Sequence, residues 1–338
     1  MKKNIKKQPF LYKMPEEYKD TYMRKTTTLD KYTSIKGLDL EENIGLKEFL
    51  DSLSTTGFQA SELGKAIEIV RVMYEEEATI YLSMTGNVIS SGLRDIIKYL
   101  VKHKKVSVIT TTASGIEEDV IKSLADFKSG EFSASGRSLF EHGVGRIGNI
   151  FVPNDRYLFF ERFMKNVFKE LYEEQRKGKV ITPSYMAKHM GGKLGEDSYL
   201  YWAWKNDVKV YCPGIVDGSI GDLAYFFKQK KPDFKIDTTD DHKELCDYTL
   251  NQEKIGAIIL GGGIAKHYAL NANIFRDGLD YAVYLTTAEE YTGSDSGGNE
   301  EEAKSWAKIK VNAPTVKVKA DFTITFPILA TAVFKTIK

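Results

Sequence analysis

At 338 residues the chain can form one large domain or two smaller ones, with ample core either way. Apolar residues make up 42% and aromatics 12%, which excludes disorder over most of the length. Lys+Arg number 48 against 47 Asp+Glu, so the total charge gives no reason to expect a nucleic-acid or anionic-membrane binder. The two cysteines, Cys212 and Cys246, cannot build a disulfide framework, and without CxxC or HExxH spacing no metal site is expected. The longest apolar candidate, residues 322–334, is short, holds Pro327 and is broken by threonines, so no membrane span is expected. The basic start MKKNIKKQPF runs into LYKMPEEYKD rather than an apolar stretch, and a cytoplasmic protein is expected.

Residues 1–45 are polar and weakly periodic and read as an N-terminal arm, with a single α/β catalytic domain over 46–338. Leu63, Ile67 and Val70 fall on one face of an amphipathic helix. Strands are predicted at 78–84, 106–111, 208–212, 256–260, 279–285 and 315–319, with helices between them, among them 90–103 and 115–127. The stretch 153–204 is helix-rich without a clear strand. Short apolar strands alternating with helices predict a doubly wound, mainly parallel, Rossmann-like sheet flanked by helices.

In such a sheet ligands gather beyond the carboxyl ends of the strands, so the residues just after each strand matter most. Thr85-Gly86-Asn87, Thr112-Ala113-Ser114, Asp217-Gly218-Ser219, Gly261-Gly262-Gly263 and Thr286-Thr287-Ala288 lie after five of them. One such loop is ordinary turn chemistry, whereas five together suggest a nucleotide laid across the sheet edge. The triple glycine before a helix start lets backbone N–H groups approach a phosphate, though it is neither GxGxxG nor a P-loop. Glu117, Glu118, Asp217, Asp222, Asp295 and Glu302 lie at or after strand ends. Singly, such acids are helix caps or first-turn residues, and this is the plain reading of Glu117 and Glu118. Converging on one pocket, they would select a cationic substrate. Trp306 and Lys308 come after the acidic, glycine-rich segment 292–302. A Trp can attract an ammonium group, and a suitably placed lysine amine can form an imine. His267 comes after the glycines and is a candidate for proton transfer in the same crevice.

These residues carry a resemblance. GGGIAKHYALNAN, DYAVYLTTAEEYTGSDSGG, EEAKSWAKIKV and VKADFTITFP, preceded by TTGFQASELGKAI, TGNVISSGLRD, TTTASGIEEDVIK, RIGNIFVPNDRY and DGSIGD, are similar to deoxyhypusine synthase in order and spacing, from about Thr55 almost to the C-terminus. The resemblance implies NAD-dependent transfer of the aminobutyl group of spermidine to one lysine of the translation initiation factor 5A precursor, releasing 1,3-diaminopropane. It implies Lys308 as the imine-forming lysine and His267 beside the reacting nitrogen. Glu117, Glu118, Asp222, Asn271, Gly293, Ser294, Asp295, Glu302 and Trp306 are implied around the polyamine. Gly86, Asn87, Ser90, Thr112, Ala113, Ser114, Glu118, Asp217, Gly261, Gly262, Gly263, Thr287, Ala288 and Asp321 are implied around NAD. It also implies a homotetramer, a dimer of dimers with active sites at the dimer interface.

The chain departs from the family pattern in places. Gly86 stands where a serine is frequent, Ser114 where a glycine is, Thr292 where Asp is common, Ala307 for a frequent glycine and Tyr268 for a second histidine. An insertion of animal members ahead of the 78–84 strand is missing, as in a compact archaeal or bacterial version. Two alternatives share these motifs: a homospermidine synthase with putrescine as acceptor, and an inactive regulatory paralogue. The second is disfavoured because Lys308, His267 and Trp306 are all present.

Overall fold

The computed structural model describes residues 28–335. The arm expected over 1–45 lies in large part outside the described residues, and a compact unit starts at Lys36. Its first helices are α1 (Leu46–Thr56) and α2 (Phe58–Glu75), the latter burying Leu63, Ile67 and Val70. The central sheet then takes β1 (Thr79–Met84), β2 (Val108–Thr110), β6 (Lys209–Tyr211), β7 (Ile255–Leu260), β8 (Tyr281–Thr286) and β9 (Thr315–Lys319). Their order is β6-β2-β1-β7-β8-β9, and every pairing is parallel. All six predicted strands are present, shortened or shifted by a residue or two at their ends. Among the described residues no helix is long and apolar enough to cross a membrane.

Alternation along each strand feeds two layers. Ile80, Leu82, Met84, Ile258, Leu260, Val283 and Leu285 face the larger core, which is closed by α2, α5 (Ala113–Leu124), α7 (Asp155–Arg176), α10 (Ser219–Lys228) and α14 (Phe322–Phe334). Tyr81, Ala257, Ile259, Ala282 and Tyr284 face a smaller core with Leu245, Leu270 and Ala303, from α11 (Thr238–Leu250), α12 (Gly263–Asn271) and α13 (Glu300–Ser305). Each buried Leu, Ile, Val or Met among them contributes about 1.5–3 kcal/mol of transfer free energy.

The helix predicted over 90–103 is α4 (Arg94–Lys102), and a separate short α3 (Asn87–Ser90) ends just ahead of it. Lys122 explains the break. Its Nζ donates to the carbonyls of Ile89, Ser90 and Ser91 at 2.9, 3.1 and 2.9 Å and so takes over acceptors that a continuing helix would use. A buried pair holds α5 beside it. Arg94 Nε lies 2.6 Å from Asp119 Oδ1, and Asp119 also accepts from Ser198 Oγ and the Leu200 N–H at the start of α9 (Tyr199–Asn206).

One element was missed by the sequence reading. β3 (Lys128–Ser129), β4 (Val144–Ile147) and β5 (Ile150–Pro153) form a separate antiparallel sheet in the order β3-β5-β4, with α6 (Gly136–Glu141) between β3 and β4. The signal was present: Gly148-Asn149 between two short runs is a two-residue hairpin turn, and Gly148 has φ +57°. The helical reading of residues 153–204 holds, with α7, α8 (Pro183–Gly191) and α9.

Candidate active site

α12 leaves the carboxyl end of β7 and runs back across the sheet. His267 and Asn271 are four residues apart and share its outer face. Asn271 Nδ2 lies 3.0 Å from His267 Nδ1, and His267 Nε2 lies 3.1 Å from Lys308 Nζ. Lys308 is placed by the segment after α13. Leu279 N–H donates to its carbonyl at 3.0 Å, and the next residue, Ile309, bridges Leu279 ahead of β8. Lys308 thus lies beside the start of β8, and the second turn of α12 brings His267 to it. The loop 293–298, which walls the cleft around this histidine–lysine pair, also packs against the Gly262 turn at the carboxyl edge, where a Cβ on Gly262 would lie 2.7 Å from Ser296 Cα.

A cleft of about 460 Å³ surrounds the pair. Asn271, Gly293, Asp295, Glu302, Trp306 and the buried Lys266 line it with them. Asp295 and Glu302 are exposed, and Trp306 is 64% exposed, so the wall opens to solvent. Glu302 is held by α13, whose N-cap Asn299 accepts its N–H at 3.0 Å. The arrangement offers an amine nucleophile, an imidazole touching it, two carboxylates and an indole face: a site for a polycation.

The other predicted carboxylates lie elsewhere in the chain. Glu117 and Glu118 sit in the second turn of α5, each 7% exposed, within the layer on the opposite sheet face. They are neither caps nor first-turn residues of their own helix. Glu117 Oε2 accepts the Ile220 N–H at 3.0 Å and so caps α10, which has no cap of its own. Gly218 permits this, since a Cβ there would lie 2.8 Å from that carboxylate. Burial raises the pKa of Glu117, with backbone N–H groups opposing it and Asp222 and Asp217 adding to it. Burial pushes Glu118 up to about 7 against a hydrogen bond from Ser90. Asp217 and Asp222 are exposed beside them at the start of α10. Tyr157 joins this group: burial and then Glu118 and Glu117 raise its phenol pKa. Sequence reasoning quoted Tyr157 within a motif without assigning it a site; its nearness to α5 is a tertiary fact.

The candidate cofactor residues lie just past the carboxyl ends. Gly261 and Gly263 have φ +87° and +64°, and a Cβ on Gly262 would lie 2.7 Å from Ser296 Cα. No side chain caps the start of α5 or of α12, so an anion there would not compete with a side-chain cap. Exposed Asn87 and Thr287, with Thr112, Ser114 and Ala288, border these turns, and Thr286 Oγ1 accepts the Ala288 N–H. Asp321 is occupied as the N-cap of α14, accepting from Thr323 N–H and Oγ1 at 2.7 Å each.

The deoxyhypusine synthase family model matches residues 48–333. The chain belongs to the deoxyhypusine synthase family. It is 46% identical to a probable deoxyhypusine synthase of Methanocaldococcus jannaschii, over 89% of this chain and 97% of that protein. It is 45% identical to the deoxyhypusine synthase of Senecio vernalis, over 89% and 88%. A solved structure of an Entamoeba histolytica protein described as a deoxyhypusine synthase superposes with a TM-score of 0.65 at 27% identity, covering 90% of this chain and 98% of its own. Membership makes the chain a transferase of hypusine biosynthesis.

Two departures from the deoxyhypusine synthase pattern answer each other. A Cβ on Gly86 would lie 1.7 Å from Ser114 Oγ, so a serine at 86 would force Ser114 to move. Ala307, between Trp306 and Lys308, has φ +54°, a conformation that favours the family's frequent glycine. Thr292 donates to Glu289 O at 3.0 Å and meets Ser294 Oγ at 2.8 Å, holding the turn before Asp295. The half-buried Tyr268 packs against His242 with ring centres 5.4 Å apart and planes tilted by 46°, beside the smaller core.

Proposed function

We infer that this protein transfers the aminobutyl group of spermidine to a lysine of the translation initiation factor 5A precursor, using NAD and releasing 1,3-diaminopropane. The carrying observation is the 3.1 Å contact between Lys308 Nζ and His267 Nε2 inside a cleft walled by Asp295, Glu302 and Trp306. Asn271 Nδ2, 3.0 Å from Nδ1, holds the ring so that Nε2 faces the lysine. An imidazole nitrogen at that distance can exchange a proton with the amine, whose uncharged form is the one that attacks an imine carbon.

The residues divide the work. Asp295 and Glu302 pair with ammonium groups, and Trp306 covers the methylene chain between them. Lys308 Nζ bonds to the oxidised carbon of the polyamine as the bond to 1,3-diaminopropane breaks. His267 moves protons at Lys308 Nζ and at the departing nitrogen. The acceptor lysine then displaces Lys308 by the same exchange. Holding the aminobutyl group covalently keeps a reactive imine from water. The uncapped turns at Gly261–Gly263 and Ala113, with Asn87, Asp217 and Thr287, fit a dinucleotide, and NAD held there supplies hydride acceptance and return. The carboxylates fall into two groups in two layers, and Trp306 is open to solvent. Both features support a site completed by a second copy, within the homotetramer the family resemblance implies.

The test is an acceptor comparison. Purified protein, NAD and labelled spermidine are incubated with the factor 5A precursor and, separately, with putrescine. Label on the precursor's lysine is the expected outcome. Label only in homospermidine would assign a small-polyamine acceptor, and transfer to neither would overturn the reading.

A further inference from the structure

Beneath the cleft lies a lysine that the transfer chemistry does not use. Lys266 is 2% exposed, on the first turn of α12, and its Nζ donates to the carbonyl of Gly298 at 3.0 Å. Its Nζ also lies 5.9 Å from the centre of the Tyr284 ring. A second lysine, Lys317 of β9, donates to the neighbouring carbonyl of Gly297 at 2.9 Å. Two ammonium groups from two elements thus grip consecutive carbonyls of the loop that carries Asp295 on one side and the Asn299 cap of α13, hence Glu302, on the other.

The loop closes tightly, and at Gly297 only a glycine fits. A Cβ on Gly297 would lie 1.9 Å from the Glu289 carbonyl, and one on Gly298 would lie 3.1 Å from the Glu302 carboxylate. Burying an ammonium group is costly, and a single carbonyl offsets little of that cost. Burial lowers the Lys266 pKa, while Asp295 and then Glu302 raise it. The two acids offset part of the cost of burying the cation, and the cation partly neutralises a wall otherwise made of carboxylates.

We propose that Lys266 and Lys317 are positioning residues for the polyamine wall: by holding the Gly297 and Gly298 carbonyls they fix Asp295 and Glu302 at the distance from Lys308 that a polyamine needs. The proposal rests on the spermidine reading, and its test separates the two.

Lys266→Met and Lys317→Met each raise the spermidine KM about tenfold, as expected for loss of one charge-assisted hydrogen bond. The kcat changes less than about threefold, and NAD affinity, followed by quenching of protein fluorescence, is unchanged. Lys317→Arg keeps the donor and restores KM to within about twofold. Gly297→Ala, which disturbs the same loop without touching charge, reproduces the KM effect. Hydrogen exchange of residues 293–299, measured without substrate, is faster in both methionine variants. A spermidine KM unmoved by both variants, or exchange in that loop unchanged, would overturn the clamp. Equal losses of kcat and NAD affinity would assign the lysines a general structural role instead and overturn it equally. Should the wild-type protein leave spermidine untouched, the substrate reading fails alone, and the exchange measurement still decides the clamp.

Discussion

The two carboxylate groups of this chain are built on opposite terms. Asp295 and Glu302 stand exposed around Lys308, where an open cleft leaves them hydrated at little cost. Glu117 and Glu118 are buried on α5, where burial raises both pKa values and every charge must be met by a hydrogen bond. The first group is free to wait for a cation. The second is already in use, since Glu117 caps α10 and Glu118 holds Ser90. The cleft can change its contents without unfolding anything, while a change at α5 reaches the loops at the sheet edge.

The largest expected effect is at the cleft. Lys308→Ala should lower aminobutyl transfer by at least ~10³-fold while NAD binding persists, measured with labelled spermidine and by fluorescence titration. Transfer at near wild-type rate would remove the nucleophile and with it the contrast between the two groups.

The next effect belongs to the buried group and depends on pH. Glu118 has a folded-state pKa of about 7, raised from 4.5. The folded protein thus binds the proton more tightly than the unfolded chain. That contribution is fully present below about 4.5 and is lost as pH rises through about 7. Glu118→Gln should therefore match the wild type near pH 4 and be more stable by roughly 2 kcal/mol at pH 8, read from urea unfolding at both pH values. Equal stabilities at both pH values would mean that the Glu118 carboxylate is as well solvated as Asp295.

Smaller effects sharpen the picture at the edges. Gly86→Ser should weaken NAD binding about tenfold, and Gly86→Ser with Ser114→Gly should restore it to within about threefold, because the second change empties the space the first needs. A double variant no better than the single one would break the link between the two sites. Ala307→Gly should raise stability by about 1 kcal/mol, by relieving the left-handed alanine at φ +54°. No gain in thermal unfolding would show the strain to be absorbed by the neighbouring Trp306 and Lys308.

Much of the sheet was legible because its signal is local. A run such as Ile255–Leu260 is apolar on both faces and bounded by polar residues, and this marks a covered parallel strand whatever lies beside it. The break at Ser91–Leu93 was not legible, because the cation that ends α3 is Lys122, some thirty residues on. The cleft residues His267, Asn271, Asp295, Glu302, Trp306 and Lys308 were named from a strand-end pattern and a family resemblance, and the structure gathers them. Glu117 was named from the same pattern, and only the packing of α5 against α10 gives it a cap to make.

By itself the sequence determined which segments form the central sheet, that they lie parallel with helices between them, and which side chains carry chemistry. These rest on periodicity and residue type, which act within a few residues of chain. The tertiary structure alone decided that Lys308 meets His267 across forty-one positions, that Lys266 and Lys317 grip one loop, and that the acids divide between two layers. Such pairings depend on where a helix turns back and which face of the sheet it covers, and packing over the whole sheet sets both.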